Sequence, residues 1–347
     1  MKKRKLGIGI IGLGRILPRH LNDSIKKISQ LELIAVCDIK KNLAKTIAKQ
    51  EGVKAYTDYK DLVQNKRIDV VSVLTPNYLH YEMGNFIAKN GKHCIMEKPI
   101  AQNYKRASSL VKNFKKYNKK LFPVLQVRYN PAILIIKNCV EKKMLGKILT
   151  ALLTVHWTRP QEYYNESDWK GNKDLDGGSL LTQAIHFIDS MQWILGKAKS
   201  VIGKTDTVGH NIEVEDIASA IIDLQTNVRV TFDFTVCTYP HNLEASLTIL
   251  GTQGSIKIGG TSMNKIEIWE VKNVPTPDIP HGLSPNSYAG GMYIGSIPNH
   301  KLVYENAVNV LLSQSRNFIE AEQALESLRI IDAILESSKN KKEVFLK

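Results

Sequence analysis

Gly7-Ile8-Gly9-Ile10-Ile11-Gly12-Leu13-Gly14-Arg15-Ile16-Leu17 decides how the first third of the chain is read. Gly7 to Ile11 is a short apolar run, the pattern of a strand covered on both faces. Gly12-Leu13-Gly14 breaks that run, and a helical stretch follows to about Gln30. A second apolar run, Leu33-Ile34-Ala35-Val36-Cys37, ends in Asp38, which stands 26 residues after Gly12. The order is strand, glycine turn, helix, strand, acid.

Each position in that order has a physical reason, and together they resemble a dinucleotide-binding fingerprint. Gly12 permits the tight turn. Gly14 leaves the backbone bare, so a pyrophosphate can approach the amide groups of the helix N-terminus. Arg15 and Ile16 continue the turn beside it. Asp38 would accept hydrogen bonds from the adenosine ribose hydroxyls, and its charge repels a 2′-phosphate, which favours NAD over NADP. Lys40 and Lys41 follow closely, and either is placed to meet a phosphate. The third fingerprint position holds Leu17 rather than Gly or Ala, which loosens the approach of helix to strand.

The alternation continues. Asp69 to Thr75 is a buried parallel-type strand, and Pro76-Asn77-Tyr78-Leu79-His80 turns into a helix ending near Gly91. His93-Cys94-Ile95-Met96 is the next strand and opens onto Glu97-Lys98-Pro99. A lysine at the mouth of a buried strand is costly unless something compensates it, and Pro99 restricts the backbone of Lys98. A helix spans about Asn103 to Asn118, and Leu121 to Gln126 is a last strand. Repeated βα units predict an α/β, doubly wound parallel sheet of the Rossmann type over residues 1–123. Such sheets bind ligands at the carboxyl ends of their strands. Gly12, Asp38, Thr75-Pro76-Asn77, Lys98, Gln126 and Arg128 all fall at that edge.

From Lys147 the pattern changes. Ile148 to Thr158 alternates apolar and polar residues, as a half-buried strand does. Similar runs cover Val201 to Thr207, Asp216 to Leu224, Arg229 to Val236, Glu244 to Leu250, Ser255 to Ile258 and Ile266 to Val271, with Gly251-Thr252-Gln253-Gly254 as a hairpin turn. Strands without intervening helices predict an α+β domain over 124–347, built on an open, mostly antiparallel sheet. One helix begins at Asp176-Gly177-Gly178 and ends at Leu195-Gly196. Leu181, Ile185, Ile188 and Leu195 form its apolar stripe. Ser179, Thr182, Gln183, His186, Asp189 and Trp193 lie opposite, and that cluster marks a candidate site around His186. Pro275, Pro277, Pro280, Pro285 and Pro298, with Gly282, Gly290, Gly291 and Gly295, make a long irregular loop of the kind that serves as a lid.

Composition excludes several classes. The chain has 347 residues, is 43% hydrophobic and carries a net charge of +15. Its lysines are scattered and lack interleaved aromatic residues, which argues against nucleic-acid binding. The charge suits a polyanionic small molecule instead. Met1-Lys2-Lys3-Arg4-Lys5 followed by Leu6 to Leu13 imitates a signal peptide, but the run is glycine-rich and meets Arg15, Pro18 and Arg19 without a cleavage site. No apolar stretch suffices to cross a bilayer. Cys37, Cys94, Cys139 and Cys237 form no metal-like pair and no disulfide framework. A cytoplasmic protein without a metal is expected.

Gly12-Leu13-Gly14-Arg15-Ile16, Pro76-Asn77-x-x-His80, Glu97-Lys98-Pro99, and Gly177-Gly178 leading to His186-x-x-Asp189 resemble the glucose–fructose oxidoreductase and inositol dehydrogenase family over nearly the whole chain. Within it, Gln126-Val127-Arg128-Tyr129-Asn130-Pro131, Trp169-Lys170-Gly171, Thr182-Gln183-Ala184-Ile185-His186 and Asn299-His300-x-x-Val303-Tyr304-Glu305-Asn306 are similar to the UDP-N-acetylglucosaminuronate 3-dehydrogenases of bacterial surface-sugar synthesis. The resemblance implies NAD as cofactor, held by Gly12, Gly14, Arg15, Ile16, Asp38, Thr75, Pro76, Asn77, His80, Glu97, Lys98 and Gln126. It implies Lys98 and His186 as the catalytic pair, meeting at the nicotinamide. For a UDP-sugar acid it implies Lys98, Arg128, Tyr129, Arg159, Trp169, Thr182, Gln183, His186, Asn299 and Tyr304, with Lys170, Tyr163 and Tyr164 as further candidates. It also implies a homotetramer and a 2-oxo acid as a possible partner for cofactor recycling. Many relatives carry an aspartate where this chain has Thr182, which counts against the inositol type. Another sugar dehydrogenase and a non-catalytic NAD-dependent regulator are the alternatives. Either Lys98 or His186 is the base for the hydroxyl proton. A free lysine has a pKa of about 10.4, and burial beside a cationic nicotinamide would lower it.

Overall fold

The computed structural model describes residues 5–279, 284–288, 293–313 and 315–346. The chain divides into two compact units, Met1–Leu125 with Asn299–Leu325, and Gln126–Pro298 with Glu326–Lys347.

The first unit is built on six parallel strands: β1 (Leu6–Ile11), β2 (Leu31–Cys37), β3 (Lys54–Tyr56), β4 (Val70–Val73), β5 (His93–Met96) and β6 (Leu121–Pro123). Their order is β3-β2-β1-β4-β5-β6, which reverses direction at β1. That reversal opens a crevice at the carboxyl ends of β1 and β4, the binding position of a doubly wound sheet. β1 and β4 are buried along their whole length, which is why they read as unbroken apolar runs.

The helical stretch after the glycine turn is shorter than its sequence suggests. It is a helix over Leu17–Leu21, with Pro18 in its first turn, followed by a 3-10 turn over Ile25–Lys27. Asn22-Asp23-Ser24 interrupts it, and Asp23 is bound by Arg19 at 2.7 Å. Two further helices, Lys41–Glu51 and Tyr59–Gln64, flank β3. The first buries only Ala44 and Ala48 beneath an outer face of lysines, so its apolar period is faint in the sequence. β6 ends at Pro123, and Gln126–Tyr129 is a 3-10 turn rather than strand. The helix His300–Ser313, far along the chain, packs within this first unit.

The second unit holds β7 (Ile148–His156), β8 (Ala198–Asp206), β9 (Ile217–Leu224), β10 (Arg229–Thr235), β11 (Glu244–Gly251), β12 (Gly254–Gly259), β13 (Lys265–Val271), the two-residue strands β14 (Ser287–Tyr288) and β15 (Tyr293–Ile294), and β16 (Val344–Phe345). Eight form one mixed sheet in the order β13-β12-β11-β7-β10-β9-β8-β16. Only β7 and β10 pair parallel in it. β14 pairs with β15 in the long Pro- and Gly-rich segment. Pro280, Gly282, Gly290 and Gly291 of that segment, and Met1 to Arg4 at the start of the chain, lie outside the described residues.

The helix read from Asp176 onward is two pieces, a π-helical turn over Leu180–Ala184 and an α-helix over Ile185–Leu195. Its polar side does not face water. Ser179, Gln183, His186 and Asp189 are all buried. A wide π turn in front of a buried histidine is a frequent mark of a functional site. Among the described residues, no helix is long and apolar enough to cross a membrane.

Candidate active site

In the first unit the glycine turn is built as the sequence requires. Gly12 has φ +91°, and a Cβ there would stand 2.8 Å from the Leu74 carbonyl carbon, so no other residue fits without displacing backbone. Gly14 and Arg15 are exposed, and nothing lies within 4 Å of where a Gly14 Cβ would be. The bare surface left over Gly14 suits a pyrophosphate. Asp38 closes the turn: its carboxylate accepts the Leu13 N–H at 2.9 Å and the Lys40 N–H at 2.9 Å. Each carboxylate oxygen has a second lone pair for a ribose hydroxyl. These residues therefore fit a dinucleotide.

Beneath Lys98 runs a chain of polar side chains. Ser72 Oγ meets Tyr304 Oη at 2.6 Å, Tyr304 Oη meets His20 Nδ1 at 2.8 Å, and His20 Nε2 meets Glu97 Oε1 at 2.9 Å. Glu97 Oε2 accepts the Lys98 N–H at 3.2 Å, and His300 Nε2 stands 3.7 Å from Glu97 Oε1. Burial alone would raise the Glu97 carboxyl, but the hydrogen bond and charge of His20, with His300 and Lys98 beside it, hold it down to about 2. Burial drives His300 down to about 3, helped by its neighbour His20. Glu97 is thus a fixed anion next to Lys98. Tyr304 is fully buried in this chain and bonded on both sides, so it locks the framework under Glu97. His80 is also buried, with Nδ1 at 2.7 Å from the Pro99 carbonyl oxygen and Nε2 at 2.9 Å from that of Thr75. It joins the turn after β4 to Pro99 of the Glu97-Lys98-Pro99 loop. Thr75 turns its hydroxyl toward Met83 Sδ at 3.6 Å, and Asn77 is buried behind it. Asn299 is buried just before the helix His300–Ser313.

In the second unit His186 is buried, and Gln126 Nε2 lies 3.4 Å from its Nε2 and 3.0 Å from Ser296 Oγ. Arg128, two residues beyond Gln126, grips Asp189 in a bidentate pair, Nε to Oδ2 at 2.6 Å and Nη2 to Oδ1 at 2.7 Å. Both side chains are buried, and the guanidinium also lies 5.0 Å from the Trp193 ring centroid. The sequence suggested an anion-binding Arg128. Its contacts with Asp189 tie it to the helix that carries His186.

A second cationic cluster stands nearby in the same unit. Arg159 Nε donates to Gln183 Oε1 at 3.0 Å, and its guanidinium lies 4.8 Å from the rings of both Trp157 and Tyr293. Gln183 Nε2 donates to Tyr163 Oη at 3.1 Å, and Lys170 Nζ sits 4.1 Å from the Tyr163 ring. Two cations held against aromatic rings suit a ligand that brings anionic groups together with apolar ring faces. Thr182 donates its hydroxyl to the Gly178 carbonyl at 3.0 Å, four residues back, as a helical threonine does. Tyr164 Oη meets Ser179 Oγ at 3.1 Å and is buried. Tyr129 and Trp169 are half-buried in the same unit.

Sequence reasoning missed His20, Ser72 and Glu215. Glu215 Oε1 accepts the Leu180 N–H at 2.8 Å and braces the start of the π turn. Burial, then the charges of Asp176 and Asp216, push its carboxyl up to about 7, against the pull of that amide. No local pattern marks such residues, because their partners lie far off in sequence.

A glycine-turn dinucleotide site on a doubly wound sheet, with a lysine at a neighbouring strand end, defines a dinucleotide-dependent dehydrogenase. The oxidoreductase family model with an NAD-binding Rossmann fold matches residues 6–124, and the model of the same family's C-terminal α/β domain matches residues 137–346. The chain belongs to the GFO/IDH/MocA family and is an NAD-dependent dehydrogenase. Two solved structures resemble it along its whole length. The WlbA dehydrogenase from Bordetella pertussis, in complex with NADH and UDP-GlcNAcA, is 29% identical with a TM-score of 0.89, covering 99% of both chains. The WlbA dehydrogenase from Chromobacterium violaceum, also with NADH and UDP-GlcNAcA, is 31% identical with a TM-score of 0.90, covering 100% of this chain and 97% of that one. An inositol 2-dehydrogenase/D-chiro-inositol 3-dehydrogenase from Lactiplantibacillus plantarum is 26% identical over 72% of this chain and 71% of its own length.

Proposed function

We propose that this enzyme oxidises the 3-hydroxyl of UDP-N-acetylglucosaminuronate to the 3-keto sugar, in the cytoplasm, as a step of bacterial surface-polysaccharide synthesis. The observation that carries this reading is the end-to-end likeness, at about 30% identity, to two dehydrogenases solved with that UDP-sugar acid. The cation Arg159, set against aromatic rings, supports an anionic sugar over a neutral polyol such as inositol.

Gly12, Gly14, Arg15, Ile16 and Asp38 would hold the cofactor, with Thr75, Pro76 and Asn77 nearer its nicotinamide. Bound NAD supplies the acceptor for the hydrogen and electron pair that leave the sugar carbon. His186 takes the hydroxyl proton. Gln126 Nε2, 3.4 Å from His186 Nε2, would orient that ring until the substrate hydroxyl takes its place on the nitrogen lone pair. Lys98, held beside the fixed anion Glu97, donates to the oxygen as negative charge develops there. Arg159, Lys170 and Gln183 bind the anionic parts of the substrate, and Tyr163 and Trp169 stack on its rings. Arg128 and Tyr304 act by positioning: the first fixes the His186 helix and the second fixes Glu97.

The exposed face of the second sheet would join copies into a tetramer. On it Ile202, Ile221, Thr231 and Leu152 form one cross-strand row, and the three aliphatic residues are each more than 40% exposed. A 2-oxo acid would recycle reduced cofactor that stays bound. The test is to mix the purified protein with NAD+ and UDP-N-acetylglucosaminuronate, with and without 2-oxoglutarate, and to follow NADH and 2-hydroxyglutarate. Turnover with this substrate and none with myo-inositol or free hexoses supports the proposal. Turnover with inositol alone overturns it.

A further inference from the structure

We propose that His80 is a positioning residue that works as an imidazolium clamp, donating from both ring nitrogens to hold the Glu97-Lys98-Pro99 loop against the Thr75-Pro76-Asn77 turn and setting a fixed positive charge beside Lys98. The inference rests on the reading of Lys98 as a catalytic donor.

Both partners of the ring are carbonyl oxygens. Nδ1 faces the oxygen of Pro99 at 2.7 Å, and Nε2 faces that of Thr75 at 2.9 Å. A carbonyl only accepts. A neutral imidazole has one N–H, so in that form one nitrogen lone pair would point at a carbonyl lone pair inside the protein. Exchanging tautomers moves this conflict from one side to the other, and turning the ring over would set a C–H group against each carbonyl and leave both without an N–H donor. The imidazolium alone meets both acceptors. His80 is only 1% exposed, so no water shell competes for either carbonyl.

Other groups act on the same ring. Its burial is the largest influence and favours the neutral form, as do the Lys98 charge and, by its sign, the N-terminus of the helix His80–Lys89. The two carbonyls and the Glu97 carboxylate favour the charged form. Together these influences leave the pKa of the ring below that of an ordinary histidine. Against that net direction stand the two short contacts, which a neutral ring cannot satisfy together. Glu97 is ionised throughout the working pH range and supplies the balancing charge.

The consequence falls on Lys98. Two cations close together in a partly buried site each make the other easier to deprotonate. A charged His80 therefore makes the Lys98 ammonium more acidic, and a more acidic ammonium is a stronger donor to a developing alkoxide. The clamp also holds the carbonyl of Pro99, the residue after Lys98, so it limits how far that loop can drift.

Two measurements test this. Neutron diffraction from perdeuterated crystals of the NAD-bound protein at neutral pH should show deuterons on both Nδ1 and Nε2 of His80. A single deuteron overturns the clamp, whatever the substrate proves to be. The second compares pH profiles of kcat/KM for wild type and His80→Gln, a variant that bridges the two carbonyls with at most one amide group and no charge. The alkaline limb should move to higher pH by about one unit or more, with a tenfold or greater loss in kcat and little change in KM for NAD. An unchanged alkaline limb overturns the effect on Lys98. The diffraction result uses wild-type protein, so it stands even if the variant fails to fold, and inactivity toward every sugar would refute the proposed function without touching it.

Discussion

Replacing Arg128 by Met tests whether the guanidinium serves the fold or the substrate. Its two bonds to Asp189, at 2.6 and 2.7 Å, join side chains that are both buried. At an effective dielectric near 20, opposite charges at that separation attract by about 6 kcal/mol before desolvation is subtracted. Removing one partner leaves Asp189 buried with its charge uncompensated, and such losses run to about 3–5 kcal/mol. Replacing both partners by apolar residues costs far less, because no orphaned charge remains. The series is therefore Arg128→Met, Asp189→Leu and the double variant, unfolded in urea and followed by fluorescence. Each single change should cost about 3–5 kcal/mol, and the double variant should recover most of it. Because Asp189 lies on the helix that carries His186, the single variants should also lose kcat while KM for the sugar nucleotide changes little. A stable Arg128→Met protein with a large rise in KM would refute this reasoning and return Arg128 to the substrate, where the sequence first placed it.

Further outcomes follow from the same contacts. Lys98→Met should abolish turnover and leave NAD binding measurable by fluorescence; retained turnover would remove Lys98 from the mechanism. Gly12→Ala should lose NAD affinity by at least tenfold in calorimetric titration, since its Cβ would meet the Leu74 backbone at 2.8 Å. Tyr304→Phe should cost about 1–3 kcal/mol in urea unfolding, because it strips a partner from both buried Ser72 and His20. The Glu97 carboxyl is held to about 2 in the folded protein, below its unfolded value, so its contribution is present above that unfolded value and lost as pH falls through the folded one. Acid unfolding of Glu97→Gln should accordingly show a shallower pH dependence below pH ~4.5. Glu215 runs the other way. Its carboxyl is raised to about 7, so its contribution is present at low pH and lost as pH rises through 7. Glu215→Gln should match wild type near pH ~5 and exceed it by up to about 3 kcal/mol near pH ~8.

What the sequence disclosed, and what it hid, follows from the range of the interactions. Five of the six parallel strands were legible because they are largely buried and lead into turn residues with a local duty, as Gly12 and Asp38 have; β3, three residues long and only part-buried, was not. The strands of the second sheet were legible from their alternation, to within a residue or two at most ends. The helix Lys41–Glu51 was hidden because small alanines make its buried face. The π turn at Leu180–Ala184 was hidden because one extra residue in a turn barely disturbs an apolar period. The sequence singled out Lys98 and His186 because their chemistry is unusual for their surroundings. The site was not legible where a residue's role depends on a distant partner. The sequence shows neither the placing of the Tyr304 hydroxyl between His20 and Ser72 nor the pairing of Arg128 with Asp189.

The central claim is oxidation at the 3-hydroxyl of UDP-N-acetylglucosaminuronate with NAD as acceptor. The most direct test uses that substrate with deuterium at C3 in a single turnover with the purified protein and NAD+, followed by mass spectrometry of the reduced cofactor. The account predicts that the deuterium is found in NADH and that a 3-keto sugar nucleotide appears in equal amount. Unlabelled NADH would place the oxidation at another carbon, and no NADH at all from a protein that binds both ligands would contradict the assignment outright.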